Sequence, residues 1–308
     1  MNTLSSRRIS GTSIDVHPLC LGGNVFGWSV DAAGSFDVLD AYVEAGGNFI
    51  DTADQYAFWK PGNSGGESER ILGDWMRARG KRDDLVIATK VGRLPGREGL
   101  ADANIRLALA ESLKRLGTDY IDIYYAHADD EHTPLADTLG TFASLEVAGS
   151  VRHVAASNYS GTRLAAALAT QGARYVALQT RYNLLDREPY ESELRPVAVA
   201  TGTSVFPYYS LASGYLTGKY RTTAFSGVRA EAASGYDTAE GRASVDRLVA
   251  VADARGVEPA AIAIAWLLSH TEVTSAIASA TCPSQLEALL VGSTIVLSAE
   301  EILALDGP

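Results

Sequence analysis

The sequence predicts an α/β protein, a (β/α)8 TIM barrel with an N-terminal hairpin and a long loop after strand 7. Three observations lead there. Eight short, mostly apolar runs lack period-two alternation, the pattern of strands buried on both faces. Windows with apolar residues at helical spacing separate them. No GxGxxG follows the first run, which argues against a doubly wound open sheet, although that fold could use the same elements. A chain of 308 residues suits one large barrel, and 1–308 reads as a single domain without an internal linker.

Taken in order, RRISGTSIDV near the N-terminus reads as a hairpin placed to plug the barrel bottom. The strands are expected at 19–22, 48–52, 85–90, 121–126, 151–157, 175–179, 204–208 and 274–279. Helices are expected at 35–45 and 67–79. In the next helix Asp102 is the expected N-cap, Ile105, Leu109, Leu113 and Leu116 share one face, and Gly117 ends it. Leu135, Leu139, Phe142 and Leu145 make a similar stripe before Gly149, and Pro259 suits the first turn of a helix running to His270. From 210 to about 240 no firm period holds, and glycine, serine and charge accumulate. A segment of that length reads as a lid or a disordered insert.

Composition narrows the function. The chain is 46% hydrophobic and 20% charged, as expected of a soluble globular protein. No apolar run is long enough to span a bilayer and the first residues lack the apolar core of a signal peptide, so the expected location is the cytoplasm, away from membranes. The formal charge of −11 repels phosphate backbones and argues against nucleic-acid binding. Two distant cysteines and five scattered histidines offer neither a disulfide framework nor a metal-ligand spacing.

In a barrel the C-terminal strand ends converge on the face where chemistry sits. The second run ends at Asp51, with Tyr56 in the loop beyond, and the third and fourth end at Lys90 and His127. Later runs end at Ser157 and Asn158, Gln179, Tyr208, and Ser279 with Thr281. Singly each has a plain structural reading: a helix cap, a packing ring, a rim lysine, a satisfied imidazole. Asp51, Tyr56, Lys90 and His127 together make an acid–base device. A tyrosine with an ordinary pKa of about 10 is a poor acid at neutral pH. A nearby ammonium favours its phenolate, an aspartate holds that ammonium, and a histidine can bond a substrate oxygen. The set suits proton delivery to a carbonyl oxygen while a cofactor supplies hydride, which no side chain can donate.

With these residues in place the chain resembles an aldo-keto reductase over almost its whole length. The resemblance rests on FIDTADQY, GGESERILG, IATK, RLGTDYIDIYYAH, VRHVAASNYS, LASGYLTGKY and SQLEALL, in family order. It implies a catalytic tetrad of Asp51, Tyr56, Lys90 and His127. Tyr56 would be the general acid or base, Lys90 would lower its pKa, Asp51 would hold Lys90, and His127 would orient the carbonyl. It also implies an extended nicotinamide dinucleotide across the barrel mouth. Ser157, Asn158 and Gln179 match the carboxamide contacts and Tyr208 the ring that stacks on the nicotinamide, with Gly23 and Asn24 lining the same end. Ser210, Leu211 and Ser213 match the pyrophosphate loop, joined by Lys219 and Arg229. Ser279, Thr281 and Gln285 fall at the adenosine end, where Pro283 opens a helix.

The family points to NADP(H) first. The segment ASATCPSQLEALL carries no lysine or arginine for a 2′-phosphate, so NAD(H) or dual use stays open. The stretch after the stacking aromatic reads YSLA where SPLG is common, and Ala288-Leu289 replaces a frequent Glu-Asn pair. Trp28, Phe58 and Trp59 are candidate walls of a pocket for a small-molecule aldehyde, ketone, sugar or the corresponding alcohol. Substrate, direction and oligomeric state stay open. Two other functions fit parts of the pattern: a barrel lyase forming a Schiff base on Lys90, and a nucleotide-holding regulatory subunit of the same fold.

Overall fold

The computed structural model describes residues 6–307. Two short strands, β1 (Arg7–Arg8) and β2 (Asp15–Val16), pair antiparallel as the expected N-terminal hairpin. The barrel strands are β3 (Leu19–Gly22), β4 (Phe49–Asp51) and β5 (Val86–Val91), then β8 (Ile121–Ala126), β9 (Val151–Ser157), β10 (Tyr175–Arg181), β11 (Ser204–Tyr208) and β12 (Ala276–Ala278). Between β5 and β8 stands a second small hairpin, β6 (Arg93–Leu94) with β7 (Arg97–Glu98), which the apolar pattern did not reveal. The eight barrel strands form one parallel sheet in the order β11-β10-β9-β8-β5-β4-β3-β12. Its seam is drawn together where Val205 pairs with Val273, and Thr274 N–H donates to Val205 O at 3.0 Å.

The helices are α1 (Ala32–Glu44), α2 (Glu67–Arg79), α3 (Asp102–Leu116), α4 (Leu135–Val147), α5 (Gly161–Ala169) and α6 (Arg195–Thr201). They continue with α7 (Ala230–Ser234), α8 (Ala239–Arg255), α9 (Pro259–Leu268), α10 (Pro283–Gly292) and α11 (Ala299–Asp306). Among the described residues no helix is long and apolar enough to cross a membrane.

Two helix starts differ from expectation. Asp31 caps α1 by accepting from Gly34 N–H, so that helix begins three residues before position 35. Asp102 is the first helical residue of α3 and not its cap, because Ala101 holds the extended capping position. The Asp102 carboxylate is committed sideways to Arg106 at 2.8 Å and Thr141 at 2.9 Å. Gly117 does end α3 in the left-handed conformation, and Pro259 and Pro283 do open α9 and α10. The 210–240 segment is ordered into two 3-10 turns (Ala212–Thr217 and Lys219–Arg221) and the single helical turn of α7.

One core layer lies between barrel and helices; a second fills the barrel. The inner one joins Cys20, Phe49, Val86, Ala88, Ile123, Tyr125, Ala155, Ala177, Phe206 and Ile277. Ile9, Ile14 and Val16 belong to the same cluster, so the N-terminal hairpin stoppers the barrel as its sequence suggested. Side chains of a strand return to the same face every second residue. One step above this plug the inward positions are therefore Asp51 over Phe49, Lys90 over Ala88 and His127 over Tyr125. Ser157, Gln179, Tyr208 and Ser279 follow in the same way over Ala155, Ala177, Phe206 and Ile277. The polar ring at the mouth is thus a direct product of strand register.

Candidate active site

Lys90 is fully buried, and all three of its N–H groups are committed. They reach Asp51 Oδ2 at 2.6 Å, the carbonyl of Thr52 at 2.7 Å and Tyr56 Oη at 2.8 Å. Tyr56 in turn donates to Asp51 Oδ2 at 3.1 Å. Gln179, from the far side of the barrel, donates to Asp51 Oδ1 at 2.8 Å. The loop that carries Tyr56 back over Lys90 is tied down: Thr52 Oγ1 donates to Ser68 Oγ, which donates to Gly23 O, each at 2.8 Å. The Tyr56 and His127 rings meet edge to face with centroids 6.1 Å apart.

Electrostatics change one expectation. Lys90 does not bring Tyr56 below its ordinary pKa. Burial, then the charge of Asp51 and its hydrogen bond, hold the Tyr56 phenol well above the usual range. The physical reason is burial first, and then the position of Asp51, which meets both groups through one oxygen and offsets the ammonium. Burial pulls Lys90 down while Asp51 resists. Three acceptors around Nζ are what an ammonium requires. Burial, Lys90 and Arg93 push His127 well below the usual imidazole range, so the ring is neutral and has one N–H to offer. Its Nδ1 is buried without a partner. The arrangement can hold a proton on a phenol beside a fixed cation and place a neutral imidazole N–H opposite.

The other expected residues fall into three groups. At the ends of β9 to β11, Asn158 Nδ2 donates to His127 O at 2.8 Å and to Ser157 Oγ at 3.0 Å, and Tyr208 donates to Asn158 Oδ1 at 2.7 Å. On the next rim segment Tyr209, Ala212 and Ser213 adopt left-handed φ, a strained local backbone of the kind held at binding loops. Ser210 turns its hydroxyl inward to Ile277 O at 2.8 Å, so only its backbone faces the loop, beside Leu211 and Ser213. Lys219 lies over the Tyr220 ring, 4.8 Å from its centroid. The third group links β12 to β3. Asn24 Oδ1 accepts from Ser279 at 2.6 Å and Arg229 at 3.3 Å, while Gln285 Oε1 accepts from Thr281 Oγ1 and N–H, both at 3.0 Å. Gly22 makes this closeness possible, because a Cβ there would lie 2.7 Å from Ser279 Oγ. Gly23 is buried below, with its carbonyl held by Ser68.

These groups fit a nicotinamide dinucleotide: amide and hydroxyl groups stand next to Tyr208, a strained backbone loop follows it, and Gln285 stands at the start of α10. Of the expected pocket aromatics, Trp28 and Trp59 meet edge to face at 5.6 Å, and Trp59 lies 6.1 Å from the Tyr56 ring. Phe58 sits on the same loop, more than a third exposed. Two residues that sequence reasoning passed over also border the site. Asp54 is buried within the loop that carries Tyr56, and Arg93 follows β5 by two residues. DTADQY carried the first in plain view, and IATKVGR carried the second.

Fold and site together define a barrel oxidoreductase, and comparison with known proteins agrees. The model of the Aldo/keto reductase family matches residues 18–307. The chain is 32% identical to norsolorinic acid reductase stcV of Emericella nidulans, over 95% of this chain and 78% of that protein. It is 32% identical to Protein tas of Escherichia coli, over 96% and 95% respectively. It is 30% identical to a probable voltage-gated potassium channel subunit beta of Arabidopsis thaliana, over 91% and 88%. The chain belongs to the aldo/keto reductase family.

Proposed function

We propose that this protein is a nicotinamide-dependent oxidoreductase that interconverts an aldehyde, ketone or sugar carbonyl with its alcohol, with Tyr56 as general acid and base. The observation that carries the reading is the buried contact of Tyr56 Oη with Lys90 Nζ at 2.8 Å and Asp51 Oδ2 at 3.1 Å. The cofactor, NADP(H) by family preference or NAD(H), supplies or accepts hydride at carbon. Ser157, Asn158 and Gln179 would hold its carboxamide and Tyr208 its ring. The backbone of Ser210, Leu211 and Ser213, with Lys219 and Arg229, would hold its phosphates. Ser279, Thr281 and Gln285 would take the adenosine end. Tyr56 gives the carbonyl oxygen its proton, and the raised phenol pKa keeps that proton in place at neutral pH. The neutral His127 ring offers its N–H to the same oxygen and orients it. Lys90 keeps positive charge beside the phenolate that remains, and Asp51 holds Lys90 in place.

A Schiff base at Lys90 is disfavoured, because all three Nζ bonds are made and the amine has no free lone pair. A regulatory role draws support from the likeness to channel β subunits. The retained His127 favours turnover. The deciding experiment combines fluorescence titration with NADPH and NADH and turnover of a simple aldehyde by wild type and Tyr56→Phe. The expected result is tight binding in both proteins and a loss of turnover of about a hundredfold or more in the variant. Binding without turnover in wild type would favour the regulatory role, and an active variant would remove Tyr56 from the acid role.

A further inference from the structure

The end of β10 meets both ends of the 210–240 segment through one guanidinium. Arg181 is the last residue of β10, in register with Tyr208 of β11. It lies two positions beyond Gln179, one step above it on the same face. Its Nε donates to Asp186 Oδ2 at 2.9 Å and its Nη2 to Tyr236 Oη at 2.5 Å. Tyr236 closes the ring by donating to Asp186 Oδ2 at 2.5 Å. The guanidinium also lies over the Tyr209 ring, 4.9 Å from its centroid. Asn183, fully buried, fixes the base of this cluster: its Nδ2 donates to Asp186 Oδ2 at 2.8 Å and to Tyr209 O at 2.9 Å. Arg181 therefore holds Tyr209, where the segment starts, and Tyr236, near its end.

Between those two residues the segment changes character. Ala212, Tyr215 and Leu216 are buried, so its first part is fixed in the core. Residues 217–232 are exposed or only partly buried, and they carry Lys219 and Arg229, the two cations assigned to the phosphates. This span reaches across the mouth: Arg229 donates to Asn24 Oδ1 at 3.3 Å, with its guanidinium 5.7 Å from the Trp28 ring centroid. Arg221 and Asp246 also pair, at 3.1 Å, but both are exposed and such pairs contribute little. Arg181 is itself half exposed. Its fork nevertheless engages two acceptors at once, and Asn183 holds the carboxylate from below. We infer that Arg181 is a positioning residue for the dinucleotide: by holding Tyr209 and Tyr236 together it keeps the span lying across the mouth, with Lys219 and Arg229 over the phosphates. Release of the nucleotide then requires the clamp to open, and opening steps of this kind set the turnover of many enzymes.

This inference rests on the oxidoreductase reading and is tested apart from it. The probe is NADPH or NADH, whichever wild type binds more tightly, with association and release followed by stopped-flow fluorescence. Arg181→Met is expected to release the nucleotide about tenfold faster, with the association rate changed less than the release rate. Tyr236→Phe, which removes one hydroxyl, should speed release in the same direction. The double variant should be no faster than Arg181→Met, since both substitutions break one cluster. Arg181→Lys keeps the charge beside Asp186 but loses the fork, and should recover part of the wild-type rate. Release from Arg181→Met as slow as from wild type, or two effects that multiply in the double variant, would overturn the inference. Should Arg181→Met fail to fold, Tyr236→Phe decides alone, and wild-type release from it overturns the clamp. Wild type that binds nucleotide but turns over no aldehyde overturns the reductase reading and leaves the clamp standing. Wild type that binds neither nucleotide overturns both.

Discussion

At the scale of single residues, the site is governed by which groups share a charge. Asp51 uses one oxygen for both Lys90 and Tyr56 and the other for Gln179, and after burial its charge is the next influence on the phenol and the ammonium. A second carboxylate lies in the same loop as Tyr56. Asp54 is buried, its Oδ1 has no partner, and burial followed by the charge of Glu69 raises its pKa to about 7 against the pull of Arg115. The ordinary value is 3.8, so the folded protein holds a proton that the unfolded chain releases across that interval. Stability therefore falls as pH rises from about 4 to about 7 and is flat above, by up to about 4 kcal/mol from this group. Asp54→Asn should remove this fall. Melting wild type and variant side by side at acid and at slightly alkaline pH would reveal it as a gain in the variant confined to the higher pH. Equal pH dependence in the two proteins would mean that Asp54 stays ionised throughout.

At the scale of elements, small residues decide how helices seat. Gly73 in α2 lies against α3, where a Cβ would come within 2.2 Å of Arg115 O and 2.9 Å of Leu116. Glycine to alanine in a helix ordinarily gains about 1 kcal/mol. Here it must push two helices apart, and α2 carries Glu69, the partner of Arg115. Gly73→Ala should lower the melting temperature, and a rise would show that α2 can shift without cost. The start of α10 makes a second case. Gln285 is in its first turn, next to Thr281, and residues 276–292 contain no lysine or arginine. Gln285→Arg should shift the ratio of affinities towards NADPH over NADH, by about tenfold for one charge-assisted contact. An unchanged ratio in the fluorescence titration would place the 2′-phosphate elsewhere.

At the scale of the whole molecule, legibility followed physical simplicity. The barrel strands were readable because each is an unbroken apolar run, and the polar ring because register fixes what lies two residues above each interior side chain. Lys90 and His127 could be picked out for that reason alone. The β6–β7 hairpin was hidden because its strands are two residues each and partly exposed. The Asp102 cap was misassigned because Arg106 and Thr141 compete for the same carboxylate. The Tyr56 balance was out of reach because it depends on burial and on one shared oxygen, neither of which spacing encodes. The bond between Gln179 and Asp51 spans 128 positions, and the seam between Val205 and Val273 comes later still. During synthesis the aspartate, lysine and histidine emerge well before that glutamine. Until that glutamine is in place Asp51 Oδ1 lacks the bond it accepts in the folded barrel, and pairings of such long range are slow to form. A chain cut short before β12 therefore lacks the strand that joins β3 to the seam, and the polar ring at the mouth stays open.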